Sequence, residues 1–204
     1  MFGPIEARVR RISMRLIRPV AGSRVSPNML TVVGLLLNVV CALVIAGGYL
    51  FASGVLLLFA GIFDMADGAL ARVKNASSQF GDFLDATLDR LAEASVGLGL
   101  LWHALARSDD VQVGLIYAVV LGSVMISYAR ARAEVLRLDC EVGIMARPER
   151  IVMLAVGLIL AQATRETALT VILAVLCLST YYTVAQRIVH VWRITKQPPV
   201  DIQG

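Results

Sequence analysis

From about Asn28 to Val191 the sequence runs almost without pause through apolar stretches, at about Asn28–Gly47, Phe51–Val73, Phe80–Ala106, Val111–Leu136, Pro148–Ala163 and Thr167–Val191. Each is near the length of about 20 residues that a helix needs to cross a bilayer. In lipid the backbone amides must find partners within the chain, so each stretch is expected to be helical. The composition agrees: 58% hydrophobic and 17% charged residues, with a mean hydropathy of +0.75, are too apolar for an ordinary soluble domain. The expected fold is therefore an all-α integral membrane protein of six transmembrane helices with an N-terminal amphipathic surface helix. A single domain over residues 1–204 is expected, with a juxtamembrane arm (1–27), the helical bundle (28–194) and a short cytoplasmic tail (195–204).

The arm is basic. Ile5, Val9, Ile12 and Leu16 recur at three- and four-residue steps between Pro4 and Arg18, with Arg8, Arg11, Arg15 and Arg18 mostly elsewhere around the helix. That is the pattern of a helix lying on a membrane surface. The first apolar run is long enough to span and has no small-residue cleavage site, so no signal peptide is expected to be removed. Ser26 is a candidate helix cap, with Pro27 in the first turn.

Of the 19 Lys and Arg, Arg107 and Arg165 alone fall in outer connections if the N-terminus is inside, and Arg90 falls within the third span. All the others then face the cytoplasm, which places both termini there, in the cytoplasmic (inner) membrane. This basic surface suits anionic lipid headgroups, and no nucleic-acid-binding module is present. Cys41, Cys140 and Cys177 lack metal-site or disulfide spacing and read as packing thiols; His103 and His190 also read as packing or interfacial residues.

Within this apolar sequence the stretch DMADGALARVKNASSQFGDFLDATLD sets Asp64, Asp67, Asp85 and Asp89 in or beside spanning helices. Carboxylates there are costly and mark function. Asp64 and Asp67 are three apart, Asp85 and Asp89 four apart, so each pair shares a helix face. A hairpin through the connection near Lys74–Ser78 brings the pairs together as an all-oxygen cage for a hard divalent ion, Mg²⁺ or Mn²⁺. Asp82 and Glu93 lie on the same face as Asp85 and Asp89 and read as partners of other polar groups, while Asp109 and Asp110 in an outer loop read as solvated charges.

The spacing D-x2-D-G-x2-A-R-x8-G-x3-D-x3-D is filled by Asp64, Asp67, Gly68, Ala71, Arg72, Gly81, Asp85 and Asp89. It resembles the signature of the CDP-alcohol phosphotransferase family of membrane phospholipid synthases. The resemblance implies two divalent ions on Asp64, Asp67, Asp85 and Asp89, with Asp89 also the catalytic base. It further implies a CDP pocket formed by Gly68, Ala71, Arg72 and Gly81 together with Pro27, Asn28 and Thr31, which match a P-N-x-x-T helix start seen in the family. A homodimer is implied as well.

In the second half, S-Y-A-R-A-R-A-E and R-P-E-R resemble segments of the family's inositol-phosphate-using members, although Arg130 stands where those have lysine. Ser127, Arg130, Arg147, Arg150 and Arg187 are then the candidates for holding a phosphorylated acceptor, since arginine grips phosphate in a planar fork. The reaction implied is transfer of a phosphatidyl group from a CDP-linked lipid such as CDP-diacylglycerol to a hydroxyl of inositol phosphate, a small phosphorylated alcohol, releasing CMP. Glycerol 3-phosphate, inositol or serine are alternative acceptors for the same chemistry. A cation-coupled transporter is the rival from another class, and it is disfavoured because the acidic motif occurs once rather than in two repeated halves.

Overall fold

In a computed structural model the described residues are 26–73 and 78–196, without the side chains of Pro27 and of residues 65–73. The expected arm helix and the C-terminal tail beyond Lys196 lie outside the described residues. Every described element is helical: α1 (Pro27–Ala46), α2 (Leu50–Val73), α3 (Gln79–Ala106), α4 (Asp110–Val135), α5 (Arg147–Ala161) and α6 (Thr167–Lys196). They fall into two compact units, Met1–His103 and Ala104–Gly204.

In the first unit, helix starts follow from the sequence. Ser26 caps α1, its Oγ accepting the Met29 N–H at 3.3 Å, with Pro27 in the first turn. Ser78 does the same for α3, accepting the Gly81 N–H at 3.0 Å. Asp82 stands in the first turn of α3, where its charge suits the helix dipole. The interior is filled by Cys41, Ile45, Leu50, Leu57, Val96 and Leu100. Ser53 is fully buried and donates to the Leu50 carbonyl of its own helix at 2.7 Å, while the Cys41 thiol donates to the Ser53 carbonyl at 3.3 Å and so ties α1 to α2. Helices α1 and α3 meet backbone to backbone, because a Cβ placed on Gly99 would collide with the main chain of Ala42.

The second unit is built on α6, against which both α4 and α5 pack. Its core is Ile116, Leu158, Leu169, Leu173 and Leu176. The turns that precede α4 and α6 carry a polar network. Gln112 is buried and donates to Thr170 Oγ1 (3.1 Å) and Glu166 Oε2 (3.4 Å), and Glu166 also pairs with Arg107 at 3.1 Å. Asp109 is half-buried and caps α4, its Oδ1 accepting the Gln112 N–H at 3.0 Å, so it is a structural cap rather than a solvated loop charge. The thiols of Cys41, Cys140 and Cys177 are free, the first two buried, as packing groups should be.

Among the described residues, three helices are long and apolar enough to cross a membrane: Asn28–Ala46, Asp110–Val135 and Thr167–Lys196. Large apolar side chains such as Leu36, Leu43, Tyr117 and Leu178 are exposed on these helices, a pattern that suits lipid and not water. Near the end of α6, Lys196 lies 4.2 Å from the Trp192 ring centre, an amphipathic pair fitted to a membrane interface. The other three expected spans differ from these for physical reasons. The apolar part of α2 is Leu50–Asp64, where the acidic motif begins; α3 carries that motif's second half; and α5 is 15 residues long, about 22 Å at 1.5 Å per residue.

The α1–α3 contact gives a direct test. Gly99→Val should destabilise the protein by about 2–3 kcal/mol because the obstructing atoms are backbone and cannot rotate away. Gly114→Ala, inside α4 at a position with nothing within 4 Å, should instead leave stability unchanged or raise it by up to about 1 kcal/mol, the helix-propensity difference. Thermal unfolding of both variants in detergent, beside the parent, measures the contrast.

Candidate functional site

Asp64 near the acidic end of α2 and Asp85 and Asp89 on the first half of α3 turn toward one another. One carboxylate oxygen from each lies within 4.8 Å of the others, and all three side chains are half-buried. The reason is local: a four-residue step keeps Asp85 and Asp89 on one helix face, and α2 presents Asp64 to that face. Ionised carboxylates so close repel by roughly 3 kcal/mol per pair at an effective dielectric of about 20, so the cluster calls for positive charge. All the donors are hard oxygens, and no Cys or His joins this group among the described residues. That donor set fits Mg²⁺ or Mn²⁺.

Asp67, Gly68, Ala71 and Arg72 lie farther along α2, and their side chains are outside the described residues. Arg90 is a neighbour the sequence reading missed. Its Nη2 lies 3.7 Å from Asp89 Oδ2, and the Asp89 side chain retains only 15% of its exposure. Adjacent residues on a helix diverge by about 100°, so this pairing depends on side-chain reach and leaves no periodic signal.

The Ser78 cap also sets the start of α3. A Cβ added to Gly81 would lie 3.1 Å from Ser78 Oγ and 3.4 Å from Asn28 Oδ1. Gly81 and Asn28, far apart in sequence, are thus neighbours. Thr31 is buried three residues after Asn28 on α1. These three expected nucleotide-site residues therefore stand within the unit that holds the acidic cluster.

The second unit holds the other set, around the connection between α4 and α5. Arg187 is buried on α6; its Nε donates to the Val142 carbonyl at 3.0 Å and its Nη1 to the Ile126 carbonyl. Arg150, also buried, donates from Nη1 to the Met145 carbonyl at 3.3 Å. Arg187, Arg150 and Arg130 all reach the connection between the two helices, at Val142, Met145 and Glu141. Arg130 is exposed and pairs with Glu134 at 2.8 Å and Glu141 at 3.1 Å. Arg147 is half-buried at the first residue of α5, and Ser127 donates to the Ser123 carbonyl at 3.3 Å. Chemically this is a set of guanidinium groups, one paired with carboxylates and others bonded to carbonyls, and a competing dianion can occupy such a place. The roles of Gln186, His190, Glu134 and Glu141 escaped sequence reasoning. A usable signal for the first two was that they sit on the same α6 face as Arg187.

A sequence model of the CDP-alcohol phosphatidyltransferases matches residues 24–192, most of the chain. The chain belongs to the CDP-alcohol phosphatidyltransferase family. It is 32% identical over 188 residues to the archaetidylinositol phosphate synthase of Methanothermobacter thermautotrophicus, covering 92% of this chain and 94% of that one. Its fold matches the crystal structure of Mycobacterium tuberculosis phosphatidylinositol phosphate synthase with CDP-DAG bound at a TM-score of 0.78 and 32% identity, over 96% of this chain and 98% of that one. The same mycobacterial enzyme in complex with manganese and citrate matches at a TM-score of 0.78 and 31% identity, over 96% and 93% of the two chains. Family membership makes this a phosphatidyltransferase, and with its apolar helices it is a multi-pass membrane protein.

The acidic cluster can be tested without turnover. Mn²⁺ titrated into the purified protein and followed by electron paramagnetic resonance should bind about tenfold or more weakly to Asp85→Asn, which loses a charged ligand. Asp82→Asn alters an exposed carboxylate on the first turn of the same helix and should shift binding less than about twofold, as expected for a screened surface charge.

Proposed function

We propose that this enzyme transfers the phosphatidyl group of CDP-diacylglycerol to a hydroxyl of inositol phosphate and releases CMP. What carries the acceptor reading is that Arg187, Arg150 and Arg130 all reach the 136–146 connection of the second unit, in a chain about one-third identical to archaetidylinositol phosphate and phosphatidylinositol phosphate synthases over nearly its whole length. An uncharged acceptor such as inositol would bring no anion for those guanidinium groups to hold. Arg130, already paired with Glu134 and Glu141, would exchange carboxylate for phosphate as the acceptor arrives.

In the first unit Asp64, Asp67, Asp85 and Asp89 would hold two divalent ions. Bound there, such ions supply charge neutralisation for the donor's pyrophosphate and for departing CMP. Pro27, Asn28, Thr31, Gly68, Ala71, Arg72 and Gly81 would hold the cytidine nucleotide, with Arg72 donating to phosphate and Gly68 admitting it close to the backbone. Asp89 accepts the acceptor's hydroxyl proton. The freed oxygen attacks the lipid-side phosphorus, the bond to the bridging oxygen breaks, and the electron pair leaves with CMP. Arg90, with its Nη2 3.7 Å from Asp89 Oδ2, would help to hold that carboxylate in place.

The same reading has all six helices crossing the cytoplasmic membrane, a surface-lying N-terminal arm, both termini and the site on the cytoplasmic side, and a homodimer. It rests on the distribution of Lys and Arg and on family resemblance. The match to an archaetidylinositol phosphate synthase favours an ether-linked CDP-lipid as the second donor to try.

Purified enzyme given CDP-diacylglycerol with inositol 1-phosphate, glycerol 3-phosphate, inositol or serine should form phosphatidylinositol phosphate in preference. A preference for glycerol 3-phosphate would overturn the acceptor and leave the family standing. Arg147→Ala should raise the KM for inositol 1-phosphate by about thirtyfold, the equivalent of roughly 2 kcal/mol for a charge-assisted hydrogen bond, with the CDP-lipid KM little changed. Asp89→Asn should lower kcat by about a hundredfold or more while the KM for CDP-lipid moves less than about threefold, as loss of a base requires. Equal losses in kcat and lipid binding would make Asp89 a ligand only.

A further inference from the structure

The connection between α4 and α5, residues 136–146, is fastened to a single face of α6. Gln186 Oε1 accepts the Ile144 N–H at 3.3 Å, and His190 Nε2 meets the Asp139 carbonyl at 3.1 Å, which requires that nitrogen to carry the proton and donate. Between them Arg187 donates from Nε to Val142 O at 3.0 Å. One turn earlier, Gly143 lies against Thr183: its φ is +144°, and a Cβ there would come within 2.5 Å of Thr183 Cγ2. Positions 183, 186, 187 and 190 follow the i, i+3, i+4, i+7 spacing of one helical stripe. The connection also buries Cys140 and Met145, so side-chain packing holds it as well as hydrogen bonds.

Arg187 stands at the centre of this attachment. A guanidinium has five N–H donors in one plane. The Val142 carbonyl of the connection takes the Nε donor and the Ile126 carbonyl of α4 one from Nη1, which fixes the plane from two directions and leaves one Nη1 donor and both Nη2 donors for an anion. An arginine held this way has lost its rotamer freedom before the ligand arrives, so binding forfeits less entropy. Gln186 and Gly143 offer no charge to a phosphate, and neither is a member of the aspartate signature. Their contacts act on the connection, and the connection acts on Arg187.

We infer that Gly143, Gln186 and His190 are positioning residues, which through the 136–146 connection aim the Arg187 guanidinium at the acceptor's phosphate. The inference rests on the acceptor reading above, and it assigns acceptor affinity partly to residues that never touch the acceptor.

The test uses the full-length enzyme with Mn²⁺, measuring kcat, the KM for inositol 1-phosphate and the KM for CDP-diacylglycerol. Gln186→Ala and His190→Ala should each raise the acceptor KM about fivefold, the worth of one neutral hydrogen bond, with kcat and the lipid KM within about twofold of wild type. His190→Gln, whose amide nitrogen can replace Nε2 as donor, should return the acceptor KM toward the wild-type value. Gly143→Ala should act in the same direction and more strongly, since it combines a strained φ with a collision. An unchanged acceptor KM in both alanine variants, whether or not thermal stability falls, would overturn the inference, as would a parallel decline of all three constants that His190→Gln fails to reverse. Arg147→Ala and Arg187→Ala in the same assay separate the two failures. If they raise the acceptor KM while Gln186→Ala and His190→Ala do not, the positioning role alone is lost. If neither arginine matters, the phosphate site itself is misassigned.

Discussion

Carboxylate repulsion is the constraint on which the first unit depends. Asp64, Asp85 and Asp89 are held within 4.8 Å of one another in half-buried surroundings, where water screens them poorly. The helices that carry them therefore need fastening elsewhere. The Ser26 and Ser78 caps fix where α1 and α3 begin, and the Gly99–Ala42 approach and the Cys41–Ser53 hydrogen bond hold α1 against its neighbours. Strain accepted at a site and met by rigid packing around it is the usual bargain of an active centre. Cation binding would relieve the repulsion, so ion affinity and the stability of this unit should be thermodynamically linked.

The second unit solves the opposite electrostatic problem. Arg150 and Arg187 are buried cations, and Arg187 gives its Nε and Nη1 donors to the backbone carbonyls of Val142 and Ile126. Carbonyls satisfy the donors without cancelling the charge. Positive potential thus survives for an incoming anion, which a buried carboxylate partner would have extinguished. Exposed Arg130 is treated differently: Glu134 and Glu141 neutralise it in solvent, where exchange for another anion is inexpensive. At the turns before α4 and α6, Gln112, Thr170 and Glu166 pin the two helices together, with Arg107 joining at Glu166.

Much of this was legible in the sequence where the governing physics is local. The helices and their ends follow from apolar run length, Ser26-Pro27 and the intervening turns. The pairing of Asp85 with Asp89 follows from a four-residue step. Asp109 shows the limit of charge-based reading, since an aspartate just before a helix is better read as a cap than as a solvated charge. Arg187 was marked as an acceptor ligand, but its carbonyl partners lie 45 and 61 residues away, and carbonyls have no sequence signature at all. The Arg130–Glu134 pair is an ordinary i, i+4 contact and could be read directly, whereas Glu141 depends on how the connection folds back. His190 looked like packing because a tether to a main-chain oxygen is invisible until the main chain is traced.

The attachment of residues 136–146 to α6 also bears on how this fold can vary. Most surface connections tolerate insertion, since lengthening a free loop costs little entropy. This one meets α6 at Asp139, Val142, Gly143 and Ile144, in step with a stripe that advances one turn at a time. One added residue would put every later contact out of phase with that stripe. The connection behaves less as a loop than as a ruler laid along the helix, and its length should drift far less among related chains than its side chains do.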